Sequence, residues 1–133
     1  MSLNENSYTW YVNQFKDHPA ILMWEFGNEF NYHPEWFGNN IQNWYDKLEQ
    51  CAATVKSLDS NHPVSTAHGE VPSQQALNSC PNVDIWGMNV YRWTDSASAI
   101  DDLAALTDKA IYISEAGADS FDSNSGLENQ QLQ

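Results

Sequence analysis

The chain has 133 residues and a formal net charge of -13, from 18 acidic against 5 basic side chains, with 41% hydrophobic residues and 6 Trp. So acidic a surface repels phosphate at long range, which excludes nucleic acid and anionic membrane as partners, while the apolar share is enough to bury a core. The aromatic excess suits a carbohydrate partner, because Trp and Tyr faces stack on the C–H surfaces of a pyranose.

Tyr8, Tyr11, Val12 and Phe15 recur at helical spacing and predict an amphipathic helix over 7–16 that stops at Asp17-His18-Pro19. The apolar run Ala20 to Trp24 then reads as a buried strand ending in Gly27-Asn28-Glu29. An aromatic loop follows, in which Tyr32, Trp36 and Phe37 either form a sugar platform or pack on the next helix. From Asn40 to Leu58 apolar residues return every three or four positions, the strongest helical pattern in the chain. Asn61-His62-Pro63 repeats the earlier helix-to-strand joint, where Pro forbids continuing the helix. His18 and His62 are assigned to these turns.

A second strand, Val64 to His68, ends with His68 either facing the cleft as a substrate contact or lying in the loop; His68 with Glu70 is too weak a pair for a metal site. A short helix over 72–78 leads through Cys80-Pro81 to a third strand, Val83 to Tyr91. Its period of two sets Ile85, Gly87, Asn89 and Tyr91 on one face and Trp86, Met88 and Val90 on the other. The bulky set suits packing on helices, which leaves Asn89 and Tyr91 near the cleft, with Arg92 or Trp93 as alternatives beyond the strand end. A helix over 97–106 precedes the last strand, Ala110 to Gly117, which again closes on a carboxylate, Glu115. The Ser, Asn and Gln-rich residues 120–133 are expected to be a flexible tail. Cys51 and Cys80 lack metal spacing and are read as free buried thiols.

Helix and strand in alternation imply an α/β fold of about four parallel strands joined by right-handed crossovers, in a single domain over 1–133. A lone glutamate at a strand exit is more often a solvated carboxylate or a helix cap. Two of them, Glu29 and Glu115, can instead form the acid/base and nucleophile pair of a glycosidase.

Trp24-Glu25-Phe26-Gly27-Asn28-Glu29 resembles the end of the fourth strand in the clan of retaining glycoside hydrolases built on (β/α)8 barrels. Val83 to Tyr91 resembles its sixth strand and Ile111 to Gly117 its seventh. The nearest pattern is the family of β-galactosidases and β-glucuronidases, whose fourth strand also begins after His-Pro; Glu25 resembles the β-mannanases, and Gly87-x-Asn89-x-Tyr91 the β-1,3-glucan transglycosylases.

The resemblance implies a partial TIM barrel, a half-barrel fragment, since complete barrels take about 250 residues. It also implies hydrolysis of β-linked sugars with Glu29 as acid/base, Glu115 as nucleophile, Asn28 on the sugar 2-hydroxyl and Tyr91 bonded to the nucleophile. Asn89, His68 and Trp93 complete the candidate substrate contacts. The mechanism requires no cofactor, and it requires Glu29 to stay protonated before the first step. Unpaired sheet edges predict self-association, with two copies closing a barrel and Glu115 of one copy beside Glu29 of the other. The competing reading is a non-catalytic carbohydrate-binding or structural α/β fragment.

Overall fold

Helices and strands alternate as the periodicities predict. In the computed structural model, which describes residues 5–92, 95–118 and 120–131, the order is α1 (Glu5–Phe15), β1 (Trp24–Asn28), α2 (Ile41–Leu58), β2 (Val64–Gly69), α3 (Gln74–Ser79), β3 (Ile85–Val90), α4 (Ser98–Ala104), β4 (Ala110–Ala116), then the short strands β5 (Phe121–Asp122) and β6 (Leu127–Glu128). β1 to β4 form one sheet in sequence order, every neighbouring pair parallel. None of the described helices is long and apolar enough to cross a membrane.

The core lies between the sheet and its helices. α2 begins where Asn40 accepts a hydrogen bond from the Gln42 amide, satisfying one of the free N–H groups of the first turn. It buries Trp44, Tyr45, Leu48, Cys51, Ala52 and Val55 on one stripe, each large side chain contributing about 1.5–3 kcal/mol. Trp86, Met88 and Val90 of β3 and Trp24 and Phe26 of β1 meet that stripe from the sheet. Cys51 and Cys80 are both free and buried, and burial, followed by the charge of Glu49, pushes the Cys80 thiol up to about 12.

The joint at the base of the sheet is built on Asp59. Its carboxylate accepts from Trp24 Nε1 at 2.8 Å, from His62 Nδ1 at 2.7 Å and from the backbone amides of Asn61 and His62. Burial acts to raise its pKa, and these four donors outweigh it, so the group lies below its ordinary value. The corresponding turn at His18 is smaller, with its Nδ1 accepting from the Ala20 amide. Both histidines are therefore structural parts of their joints.

Three elements differ from the sequence expectation. β1 starts only at Trp24, because its partner β2 starts at Val64 and the first ladder bond runs from Trp24 N to Pro63 O; Ala20 to Met23 precede it, with Leu22 exposed. α1 buries Tyr8 and Val12, while Tyr11 and Phe15 stay exposed beside Trp10. The expected tail carries a hairpin, β5 against β6, closed by a turn in which Asp122 Oδ1 accepts from Asn124 N and Gly126 takes a left-handed φ of 69°.

Candidate active site

The strand exits gather at one end of the sheet, and two irregularities decide what points there. Between Glu25 and Asn28, β1 uses three residue steps where β2 uses two, Ser65 to Ala67. The extra residue is accommodated at Gly27, whose φ of 77° suits glycine and whose missing side chain leaves room for the Trp44 ring; a Cβ there would come within 2.7 Å of it. Between Met88 and Asn89 the register slips again, so that Asn89 faces Glu115 rather than Ser114.

The first bulge leads into Glu29, which itself has a left-handed backbone, φ 57° and ψ 24°. A non-glycine residue there costs roughly 1–2 kcal/mol. Glu29 N bonds Ala67 O at 2.9 Å and Glu29 O accepts from Tyr32 N, so the conformation is fixed from both sides. Its consequence is that the successive side chains of Asn28 and Glu29 both reach one group, the Asn89 amide, at 3.1 Å and 3.2 Å.

The second bulge acts on β4. Tyr112 lies on the concave face, its ring over Gly87, where a Cβ would sit 2.6 Å from it. Strict alternation from Tyr112 would put Ser114 on the same face and Glu115 on the opposite one. Ser114 does face inward, its Oγ donating to Asn89 Oδ1 at 2.6 Å, and the slip re-aims Glu115, whose Oε2 accepts from the Tyr91 hydroxyl at 2.7 Å. Both candidate carboxylates thus meet the exit of β3, Glu29 through Asn89 and Glu115 through Tyr91, within a single chain. A second copy is not needed to bring them there.

Beneath them the concave face is tied across. The Tyr112 hydroxyl of β4 spans β3 and β2 to donate to Glu25 of β1, and Ser65 Oγ donates to the same oxygen at 3.2 Å. Burial, and then this bond to Glu25, pushes the Tyr112 phenol up to about 12. Glu25 is accordingly part of an internal strut.

The remaining candidates fall into three groups. Asn89 is only 2% exposed, with its side chain occupied by protein partners rather than open to the cleft. His68 lies on the other side of the sheet, correcting its placement as a cleft residue. Since Ser65 faces inward to Glu25, the period of two sends His68 toward the helices, where Nε2 meets the Tyr45 hydroxyl at 3.4 Å and Nδ1 meets Glu70 O at 3.0 Å. Desolvation there holds its pKa below the ordinary value. Trp93 lies outside the described residues.

One contributor, Asn31, carried no signal in the sequence. Asn31 pairs its amide with both backbone groups of Gly69, at 2.8 Å and 3.0 Å, and so pins the loop after Glu29 onto the end of β2. Tyr32 then lies over Gly69, where any Cβ would collide with its ring. Burial, and after it the nearby Glu29 and Glu70 carboxylates, raises the Tyr32 phenol above its ordinary value. Phe37 packs on Phe30 and Trp44, whereas Trp36 is largely exposed and stacks on His33. Arg92 is committed to Glu70 at 2.6 Å, Asp102 at 2.8 Å and Ser98, a clasp between the β2 and β3 exits and α4.

Residues 5–132 match the family described as glycosyl hydrolases family 2, TIM barrel domain. The chain belongs to that family. Among curated proteins, a mannan endo-1,4-beta-mannosidase 2 from Oryza sativa subsp. japonica is 33% identical over 82 residues, covering 59% of this chain and 17% of its own length. A mannan endo-1,4-beta-mannosidase F from Aspergillus clavatus is 40% identical over 55 residues, 41% of this chain and 12% of its own. A putative mannan endo-1,4-beta-mannosidase 4 from Arabidopsis thaliana is 37% identical over 54 residues, again 41% and 12%. The chain therefore spans less than a fifth of the length of the relatives it matches. The four parallel strands with their intervening helices are an arc of the family's barrel.

Proposed function

We propose that this chain carries the acid/base and the nucleophile of a retaining β-glycosidase. Glu115 attacks the anomeric carbon while protonated Glu29 gives its proton to the departing glycosidic oxygen, and a glycosyl ester on Glu115 forms as the C1–O bond breaks. Glu29, now ionised, removes a proton from water, whose oxygen adds to C1 and releases Glu115. Asn28 bonds the sugar 2-hydroxyl and Tyr91 holds the attacking carboxylate through its hydroxyl. What supports this reading is that the exit of β3 contacts both carboxylates, by the Asn89 amide on Glu29 and the Tyr91 hydroxyl on Glu115.

The substrate class is a β-linked glycoside. A β-mannan is favoured within it, because the three relatives above are named as mannan mannosidases and Glu25 resembles that group. Among the described residues the outer edges of β1 and β4 have no strand partner, which supports self-association of this chain. The test is hydrolysis of a panel of aryl β-glycosides that includes the β-mannoside. Turnover that falls on the order of 10⁴-fold in Glu115→Gln is the expected result; turnover unchanged in that variant removes Glu115 from the mechanism.

A further inference from the structure

Asn89 is a buried amide whose side-chain hydrogen bonds all go to groups at the candidate site. It lies on β3 between β2 and β4, and all three of its side-chain contacts cross to another strand or strand exit, two at the end of β1 beyond β2 and one on β4. Nδ2 donates to Asn28 Oδ1 at 3.1 Å and to Glu29 Oε1 at 3.2 Å, while Oδ1 accepts from Ser114 Oγ at 2.6 Å. Its backbone carbonyl accepts from Glu70 N at 3.0 Å, so the residue is held from the main chain as well. A buried amide has two donor hydrogens and one acceptor oxygen to satisfy, and here each has a partner. The orientation of the amide follows from the same contacts. Reversed, it would set its carbonyl oxygen against Asn28 Oδ1 and, whenever Glu29 is ionised, against that carboxylate too, acceptors against an acceptor.

The placement also discriminates between the two oxygens of Glu29. Oε1 faces the Asn89 donor, and among the described residues no hydrogen bond is made to Oε2. An oxygen that accepts from a buried N–H is a poor seat for a proton, because protonating it turns an acceptor toward a donor. The proton therefore belongs on Oε2.

We propose that Asn89 is the positioning residue of the acid/base: its amide, steadied by Ser114, fixes Glu29 Oε1 as an acceptor and leaves Oε2 as the oxygen that passes its proton to the leaving group. The proposal rests on the glycosidase reading for its chemical consequence, but its geometric content does not. No sugar contact is assigned to Asn89. Ser114, adjacent to the nucleophile in sequence, serves the acid/base instead.

Two measurements on the full chain test this separately. In ¹⁵N NMR the Asn89 side-chain amide pair exchanges more slowly with solvent than exposed asparagine amides. With pH it follows the ionisation of the Glu29 carboxyl, a transition abolished in Glu29→Gln and kept in Glu115→Gln. An amide pair that exchanges freely, or that Glu29→Gln leaves unmoved, overturns the proposal whether or not the chain hydrolyses anything. Kinetically, Asn89→Ala loses about 10–100-fold on an alkyl glycoside, whose leaving group needs the proton, and several-fold at most on a dinitrophenyl glycoside, which does not. Ser114→Ala, which keeps the β3 side chain and guards against a folding defect, shows the same split at smaller size. Equal losses on both leaving groups overturn the proposal. Absence of turnover in every variant and the parent counts against the glycosidase reading of this chain, and the NMR result then decides for Asn89 alone.

Discussion

The exits of β1 and β4 each present a glutamate, yet the two are held by opposite means. Glu29 sits in a left-handed backbone between two main-chain bonds, and its carboxylate meets a buried amide. Glu115 lies within a strand, exposed, re-aimed by a register slip and tied to one phenol that is itself 55% exposed. One carboxylate is over-determined by the fold, and the other depends on a single side chain. Under the glycosidase mechanism proposed above, this asymmetry suits a pair in which one member delivers a proton along a fixed direction while the other follows a moving carbon.

The largest effect that tests the contrast is expected at the exposed end. Tyr91→Phe removes the only side-chain donor to Glu115 among the described residues, and hydrolysis should fall about 10–100-fold with the unfolding free energy nearly unchanged, the usual worth of a hydrogen bond to a charged group. A variant as active as the parent would mean that Glu115 needs no such support.

Replacing each glutamate by glycine sharpens the comparison through stability. Glu29→Gly should be about 1 kcal/mol more stable than Glu29→Ala in urea denaturation, because both lose the carboxylate but only alanine keeps a side chain in the left-handed backbone, whereas Glu115→Gly should be about 0.5–1 kcal/mol less stable than Glu115→Ala because glycine loosens a strand. Changes of the same sign at both positions would erase the distinction drawn between them.

The smallest effect concerns what lies under the exits rather than either carboxylate. His68 is kept below its ordinary pKa by burial, so below about pH 6.5 the unfolded chain takes up a proton that the folded chain does not. Stability from this group is complete above that pH and declines as pH falls toward the folded value. His68→Gln should flatten the denaturation midpoint between pH 7 and pH 5 relative to the parent; an identical slope would mean that His68 is protonated in the folded state.

Much of the fold was legible because its signals are local. The helical period of α2, the His-Pro joints and the bulky face of β3 each act through residues near in sequence, and each appears where the pattern put it. Gly87 was assigned to the concave face by parity, and the Tyr112 ring that fills the space above it accounts for the missing side chain. His68 failed the same kind of reasoning, since the strand exit was foreseen but not which face its last residues present. Ser114 was missed for the reverse reason: beside Glu115 in a strand it ought to point away, and a bulge leaves no mark in composition.

By itself the sequence determined the alternation of helix and strand, the parallel order that follows from it, and the two carboxylates that end separate strands, because hydrophobic periodicity and turn chemistry are read a few residues at a time. The tertiary structure alone decided that Glu29 and Glu115 both bond to residues at the exit of β3, that the Asn89 side chain is bonded to Asn28, Glu29 and Ser114, and that Glu25 is spent on Tyr112. Each of those facts depends on register between strands up to 87 residues apart, set by how the bulges and the curvature of the sheet settle together in the folded chain.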